Sequence, residues 1–309
     1  MSFVVTKPGL QVTLQAAPRH GLRHMGVPAS GPADPLSMAL ANRLVGNPPD
    51  ACSLEIPFGM FSFEAQADAK IAMTGAPVTV RINGGVLPMH QTLSVRAGDA
   101  IELGSAEAGA RIYLAVAGGF TGNAFLGSTS TYLPAAFGGY EGRALKSGDI
   151  LAVSASDVDP GHLETPEHMR QVFSHGFALR CVPGPDESLI AGWDKNQDFV
   201  ASRRADRTGI EVTGSWPRLL KSALRPSAPI FPGGIQLTPS GAAFILLQDA
   251  QTTGGYPHVL QVAHADHHLL GQIRPGDRIQ FLKRTPEEAA DDLREKVAFF
   301  RSWISDLRL

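Results

Sequence analysis

Residues 147–154 read SGDILAVS, and the chain repeats this phrase twice more, as AGDAIELG at 97–104 and PGDRIQFL at 275–282. In each copy a Gly-Asp pair ends a turn and feeds an apolar run too short for a helix, the pattern of a turn leading into a β-strand. Glycine suits a turn position of positive φ, and an aspartate can fold its carboxylate back onto the amides of its own turn. The second and third copies each close a long β-rich segment. Two readings stand open: unrelated turns of one common type, or two similar halves.

Working outward, short apolar runs bounded by Gly, Pro, Asn or Asp recur through the first half: KIAMTG (70–75), VTVRI (78–82), RIYLAVAGG (111–119) and ILAVS (150–154). Their length and spacing predict the strands of a barrel or sandwich. Asn83-Gly84, set between two such runs, predicts a tight hairpin, because both residues tolerate positive φ. The stretch 155–171, ASDVDPGHLETPEHMRQ, is polar and lacks strand periodicity; it reads as a linker, dividing the chain into domains at 1–155 and 156–309. A total of 33 Gly and 23 Pro among 309 residues fits a mainly β, turn-rich protein, and 43 % apolar residues against 18 % charged can fill a large core.

Two helices are expected. Asp34-Pro35 can open the first, with Asp34 as cap, Leu36, Leu40 and Leu44 on one face and Gly46 at the end. Thr285-Pro286-Glu287-Glu288 is a capping box that opens the second. Leu293, Val297, Phe300, Ile304 and Leu307 form its apolar stripe, which needs a surface to dock on, either its own barrel or a partner protein.

Composition also excludes. A net charge of −2 without a basic run leaves no footprint for nucleic acid. No apolar run reaches the roughly 18 residues of a membrane span, and the N-terminal stretch lacks the charged and apolar regions of a secretion signal. The expected setting is the cytoplasm, away from any membrane. Cys52 and Cys181 have no metal or disulfide spacing and read as small buried side chains.

The chemistry concentrates in QDAQTTGGYPH, 248–258, between the apolar runs AAFILL and VLQVAHA. A hairpin connection needs two to five residues, and this one is about twice as long. Asp249 offers a base or an electrostatic anchor; Gln251, Thr252 and Thr253 offer donors and acceptors. Gly254 and Gly255 let backbone approach a ligand, and Tyr256 and His258 add titratable groups. A purely structural Ω-like loop could carry the same residues. Upstream, ASRRADRTGIEVTG (201–214) holds an arginine cluster able to grip a carboxylate or phosphate, with Arg207 the preferred candidate and Arg203 and Arg204 equally readable as solvated surface. Asn42, inside the first helix, and Glu55, flanked by apolar residues, are either buried hydrogen-bonding pins or site residues. HADHH (264–268) is weak evidence for a metal, and none is expected. No G-x-x-x-x-G-K-[ST] and no G-x-S-x-G occurs, so neither a P-loop nor a nucleophile elbow is present.

In order along the chain, PGLQVTLQ, GVPASGPADPLSMALANRLVGN, LEIPFG, IAMTGAPV, GRALKSGD, DRTGI, GGIQLTPSG and QDAQTTGGYP…PGDRIQF resemble the biotin-dependent carboxyltransferase (KipA-like) family. That family includes allophanate hydrolase subunit 2-like proteins, the C-type subunit of 5-oxoprolinase and the carboxyltransferase part of urea carboxylase. The resemblance implies two cyclophilin-like β-barrel domains and an enzyme component that works with KipI-like and LamB/YcsF-like subunits, the B-type and A-type members of the complex. Such a complex would open 5-oxoproline, a small lactam, to glutamate with ATP, whose site this chain alone does not contain. The alternatives it implies are a carboxyltransferase acting on urea or a related small amide, with biotin on a separate carrier, and a non-catalytic regulatory partner of a KipI-like protein. Asn42, Glu55, Asp206, Arg207, Asp249, Gln251, Thr252, Thr253, Gly254, Gly255 and Tyr256 match the family pattern. The sequence departs from it at Gln15-Ala16-Ala17-Pro18-Arg19, where relatives carry an Asp and a Gly, and at Ala228, where they carry Glu. On this reading Arg207 holds a substrate carboxylate or phosphorylated intermediate, Asp249 and Tyr256 orient the amide or move a proton, and Gly254-Gly255 cradle an oxyanion.

Overall fold

The three Gly-Asp turns share one geometry. In each, the aspartate N–H donates to the carbonyl three residues back, at Arg96, Lys146 or Arg274 (3.0, 3.2 and 3.1 Å). The aspartate carboxylate in turn accepts the N–H of that same residue at 2.7, 2.7 and 2.8 Å. The glycines sit at φ 89°, 88° and 93°, which only glycine adopts without cost. From these turns run the strands Ala100–Leu103, Ile150–Ala152 and Arg278–Lys283. The motif is thus a recurrent structural unit of both halves.

The computed structural model describes residues 1–190, 197–220 and 225–309. It is mainly β, as the sequence predicts, and contains two compact units. The first comprises Met1–Arg19, Ser30–Phe173 and Phe300–Arg308. Its strands form a six-stranded sheet, in the order Ile150–Ala152, Ser2–Pro8, Phe61–Ala65, Ala100–Leu103, Val80–Ile82 and Gly85–Leu87. A five-stranded sheet holds Thr13–Gln15, Ser53–Pro57, Arg111–Val116, Ala69–Gly75 and Leu93–Val95. Both sheets contribute alternate residues to one core, among them Phe3, Phe61, Phe63 and Ile101 from the first and Leu54, Met73, Ile112 and Leu114 from the second. Asn83 (φ 49°) and Gly84 (φ 81°) make the expected two-residue hairpin turn.

The first helix, Pro35–Leu44, starts where Asp34 accepts the Ser37 N–H at 2.9 Å. Met38, Ala41 and Leu44 pack on Ala72, Tyr113 and Ala115 of the five-stranded sheet.

The second unit comprises His20–Ala29, Ser174–Phe299 and Leu309. Seven strands close into a barrel in the order Gly176–Pro183, His258–Val262, Gly234–Leu237, Ala243–Leu246, Gly209–Gly214, Phe199–Ala205 and Arg278–Lys283. A parallel pairing between the first and last of these completes the ring. Closure leaves no open sheet edge. Alternate residues such as Leu179, Ile210, Val212, Ile235, Ile245 and Ile279 are buried, and Phe199, Trp216 and Phe281 form an aromatic cluster with ring centres 4.4–5.6 Å apart.

The C-terminal helix, Pro286–Arg301, opens with the capping box formed: Glu288 N–H donates to Thr285 Oγ1 at 3.2 Å and Thr285 N–H to Glu288 Oε2 at 2.8 Å. Its docking partner is its own barrel, through Arg180–Asp292 at 2.7 Å and Lys296 Nζ donating to Ala265 O at 2.7 Å. The helix ends before the apolar stripe does. Ile304 and Leu307 lie beyond Arg301, buried in irregular chain. Among the described residues, no helix is long and apolar enough to cross a membrane. Both cysteines are free thiols, and burial pushes Cys52 up to about 12.

Candidate functional site

The site grows from an irregularity in the barrel. Along the hairpin of Phe199–Ala205 and Gly209–Gly214, Ala201 pairs with Val212 but Ala205 pairs with Ile210. Ser202, Arg203 and Arg204 therefore stand opposite Glu211 alone, a bulge of the kind that re-aims side chains near functional sites. Glu211 accepts from Ser202 Oγ at 2.6 Å and from Arg204 Nη1 at 2.9 Å, and the Arg204 guanidinium lies 5.3 Å from the Phe244 ring centre. Arg203 is exposed and has no hydrogen-bonding or ion-pair partner among the described residues.

The turn after the bulge is held by Asp206, whose Oδ1 accepts the N–H groups of Thr208 and Gly209 at 2.7 and 3.1 Å. Arg207 points the other way. Its Nε and Nη2 donate to Asp249 Oδ2 and Oδ1 at 2.7 and 3.2 Å, with Arg207 6 % and Asp249 2 % exposed. Backbone bonds reinforce the pair: Asp249 N–H donates to Arg207 O, and Leu247 N–H to Thr208 O.

From Asp249 onward the loop is fixed through its carbonyls. Arg23 Nη2 donates to Gln251 O at 3.0 Å and to Ile230 O at 2.6 Å. Ile230 N–H donates to Thr252 O, and Arg225 N–H to Gly255 O. Thr253–Gly254 pairs with Ala228–Pro229 as a two-stranded ribbon, which puts Ala228 against Gly254. Gln236 Nε2 donates to Tyr256 O at 3.2 Å. The two glycines sit close against their neighbours. A Cβ on Gly254 would meet Gln236 Nε2 at 2.9 Å, and one on Gly255 would meet Arg225 O at 2.9 Å.

This bracing leaves a cleft of about 540 Å³, lined by Arg203, Arg204, Asp206, Gln236, Gln251 and Tyr256 on its polar side and by Phe244 and Leu246 on its apolar side. That volume and mixture suit a small molecule. Of the residues the sequence singled out, Gln251 and Tyr256 border the cleft. Asp249 and Arg207 lie beneath the loop, and Thr252, Thr253, Gly254 and Gly255 shape its backbone. His258 begins the next strand, with its N–H donating to Asp186 Oδ2 at 2.9 Å. Its Nε2 is enclosed without a hydrogen-bond partner, and burial lowers its pKa, so the ring is held neutral.

Asn42 and Glu55 belong to the first unit, where their neighbours saturate them. Asn42 Nδ2 donates to Pro49 O and Ala51 O (3.3 and 2.9 Å), while its Oδ1 accepts from Asn47 Nδ2 and Ser53 Oγ (3.0 and 3.3 Å). Glu55 accepts from Ala33 N–H at 2.8 Å, Tyr113 OH at 2.7 Å and Arg111 Nε at 3.2 Å. These bonds pin the first helix and its approach to the sheet. Burial and the neighbouring Glu55 carboxylate raise the Tyr113 phenol well above its usual range.

Gln236 and Phe244 are cleft residues that the sequence reading missed. Gln236 carried a usable signal: it is the one amide within the apolar strand of GGIQLTPSG, and it is 2 % exposed. The histidine cluster at 264–268 surrounds an acid already engaged by cations. Asp266 is held by Arg180 and Lys296, and no group of three or more His, Cys, Asp or Glu able to hold an ion occurs among the described residues. The cleft's polar lining holds two guanidiniums, one carboxylate, two amides and a phenol.

Fold and site together define a mainly β chain with a cleft of small-molecule size on a closed barrel. Residues 25–283 match the family model of the carboxyltransferase domain, subdomain A and B, and the chain belongs to that family. It is similar to the C-type subunit of 5-oxoprolinase from Escherichia coli, with 32 % identity over 302 residues, covering 96 % of each chain. It is also 33 % identical over 269 residues to a putative urea carboxylase of Emericella nidulans, covering 82 % of this chain and 22 % of that one. Among solved structures it resembles the K. lactis urea amidolyase, with a TM-score of 0.92 and 28 % identity over 100 % of this chain and 20 % of that protein.

Proposed function

We propose that this chain is the C-type component of an ATP-dependent 5-oxoprolinase-like complex that opens 5-oxoproline to glutamate in the cytoplasm. The observation that carries the reading is the end-to-end similarity to the C-type subunit of 5-oxoprolinase, 96 % of both chains at 32 % identity. The cleft supports it chemically. Gln251 can give an amide N–H to the lactam carbonyl and accept from the lactam N–H, and the Tyr256 hydroxyl can donate a hydrogen bond or a proton at the same group. Arg207 and Asp249 act through the loop they fix, setting the position of Gln251 and Tyr256. ATP would energise lactam opening from a site completed by a KipI-like and a LamB/YcsF-like partner.

A second reading, carboxyl transfer to urea or a related amide, is favoured by the 0.92 TM-score to urea amidolyase. This chain spans only about a fifth of that protein, and carboxyl transfer would need a biotin carrier and a biotin carboxylase besides the part described here. Co-expression with the two partner proteins separates the readings. ATP-dependent glutamate formation from 5-oxoproline is expected; carboxylation of urea in the presence of a biotinylated carrier, without glutamate formation, would replace the first reading with the second.

A further inference from the structure

We propose that Arg203 is the specificity-determining residue of the cleft, recognising a carboxylate on the substrate, so that the site takes an anionic small amide in preference to a neutral one. The inference rests on the lactam reading for the substrate's identity but on the cleft's own geometry for its charge. Arg203 and Arg204 are neighbours in the same bulge, yet the structure treats them differently. Arg204 is engaged by Glu211 at 2.9 Å and by the face of Phe244. Glu211 also accepts from Ser202 at 2.6 Å, so both of its oxygens are occupied. The remaining carboxylate on the cleft wall, Asp206, accepts two turn N–H groups through Oδ1. Arg203 alone among the cleft's charged groups has no bond to any described residue, while its side chain lines the same space as Gln251 and Tyr256.

A guanidinium presents N–H donors in a planar fork that matches a carboxylate, and a charge-assisted bond of this kind is stronger than one between neutral groups. The amides and phenol of the loop supply what a lactam or urea needs; Arg203 supplies what only a carboxylate-bearing ligand would use. The bulge is the structural means. In regular pairing, successive residues alternate between barrel interior and exterior, and the extra residues at 202–204 break that alternation beside the cleft.

The test uses the reconstituted complex, with Arg203→Gln and Arg203→Lys, and two ligands: 5-oxoproline and 2-pyrrolidinone, the same ring without the carboxylate. Removing a charge-assisted contact should raise KM for 5-oxoproline roughly 10- to 100-fold with kcat nearly unchanged. The lysine variant should recover part of the loss. Calorimetric titration should show the native complex preferring 5-oxoproline to 2-pyrrolidinone and Arg203→Gln losing that preference. An unchanged KM in Arg203→Gln, or equal native affinity for the two ligands, overturns the assignment. Should the native complex form no glutamate yet bind 5-oxoproline in an Arg203-dependent way, the lactam-opening reading falls and the carboxylate site stands.

Discussion

Arg207 and Asp249 meet in a bidentate, buried ion pair that ties the turn after the barrel's bulged hairpin to the start of the 249–256 loop. Arg207 is the cation that neutralises the buried Asp249 carboxylate, so removing it leaves that charge out of water. Arg207→Ala or Asp249→Ala should each destabilise the protein by about 3–5 kcal/mol, whereas replacing both with apolar residues of similar volume should cost far less. Urea unfolding of the two single variants and the double variant measures this. Additive single and double effects would show that the pair is not coupled as the geometry requires.

That pair also marks where sequence stops informing. The three Gly-Asp turns, the Asn83-Gly84 hairpin, the Asp34 cap and the Thr285–Glu288 box were all legible, because each is a local exchange between a few consecutive residues and their own backbone. Arg207 and Asp249 were legible as polar residues worth naming, but 42 positions separate them. Only the folded barrel shows that they face each other. Arg203 was harder still. In sequence it is one of two adjacent arginines, and the difference between them arises from a register slip that no composition or periodicity records. The apolar stripe at the C-terminus misled in the opposite direction: Ile304 and Leu307 hold helical spacing but are buried from irregular chain after Arg301.

The loop glycines should respond differently to alanine. At Gly255 the new Cβ would press on the Arg225 carbonyl, a backbone atom rather than the end of a side chain, and overpacking of this kind costs about 1–3 kcal/mol. At Gly254 the contacts are the ends of the Gln236 and Ile230 side chains, which can move. Stability should fall less there. Displacing Gln236 releases Tyr256 O, however, so Gly254→Ala should lower turnover while its unfolding midpoint stays near native. Thermal melts beside steady-state rates of the complex check both, and equal melting losses at the two positions would contradict the steric distinction.

Thr285 tests the helix start. Its Oγ1 accepts the Glu288 N–H, and the Glu288 carboxylate accepts the Thr285 N–H in return. Thr285→Ala removes one of the two bonds and should cost about 1 kcal/mol, while Thr285→Ser, which keeps the acceptor, should remain near native. Denaturant midpoints of the two variants decide it; an alanine variant as stable as the serine one would mean the cap contributes nothing.

Acid should weaken the fold through His268. The ring is 5 % exposed, and burial, with Lys296 Nζ 3.4 Å away, drives its pKa down to about 3. In the unfolded chain a histidine titrates near 6.5. Between those values the unfolded state binds a proton that the folded state refuses, so stability falls as pH drops through this window. The slope from one such ring is about 1.4 kcal/mol per pH unit, and the loss ends near the folded pKa, where both states are protonated. His268→Gln keeps a neutral acceptor for Lys296 and takes no proton in either state. Urea unfolding at pH 5, 6 and 7 should therefore show a shallower pH dependence in the variant, by about one proton. A native and a variant protein with the same slope would mean that His268 is already protonated in the fold.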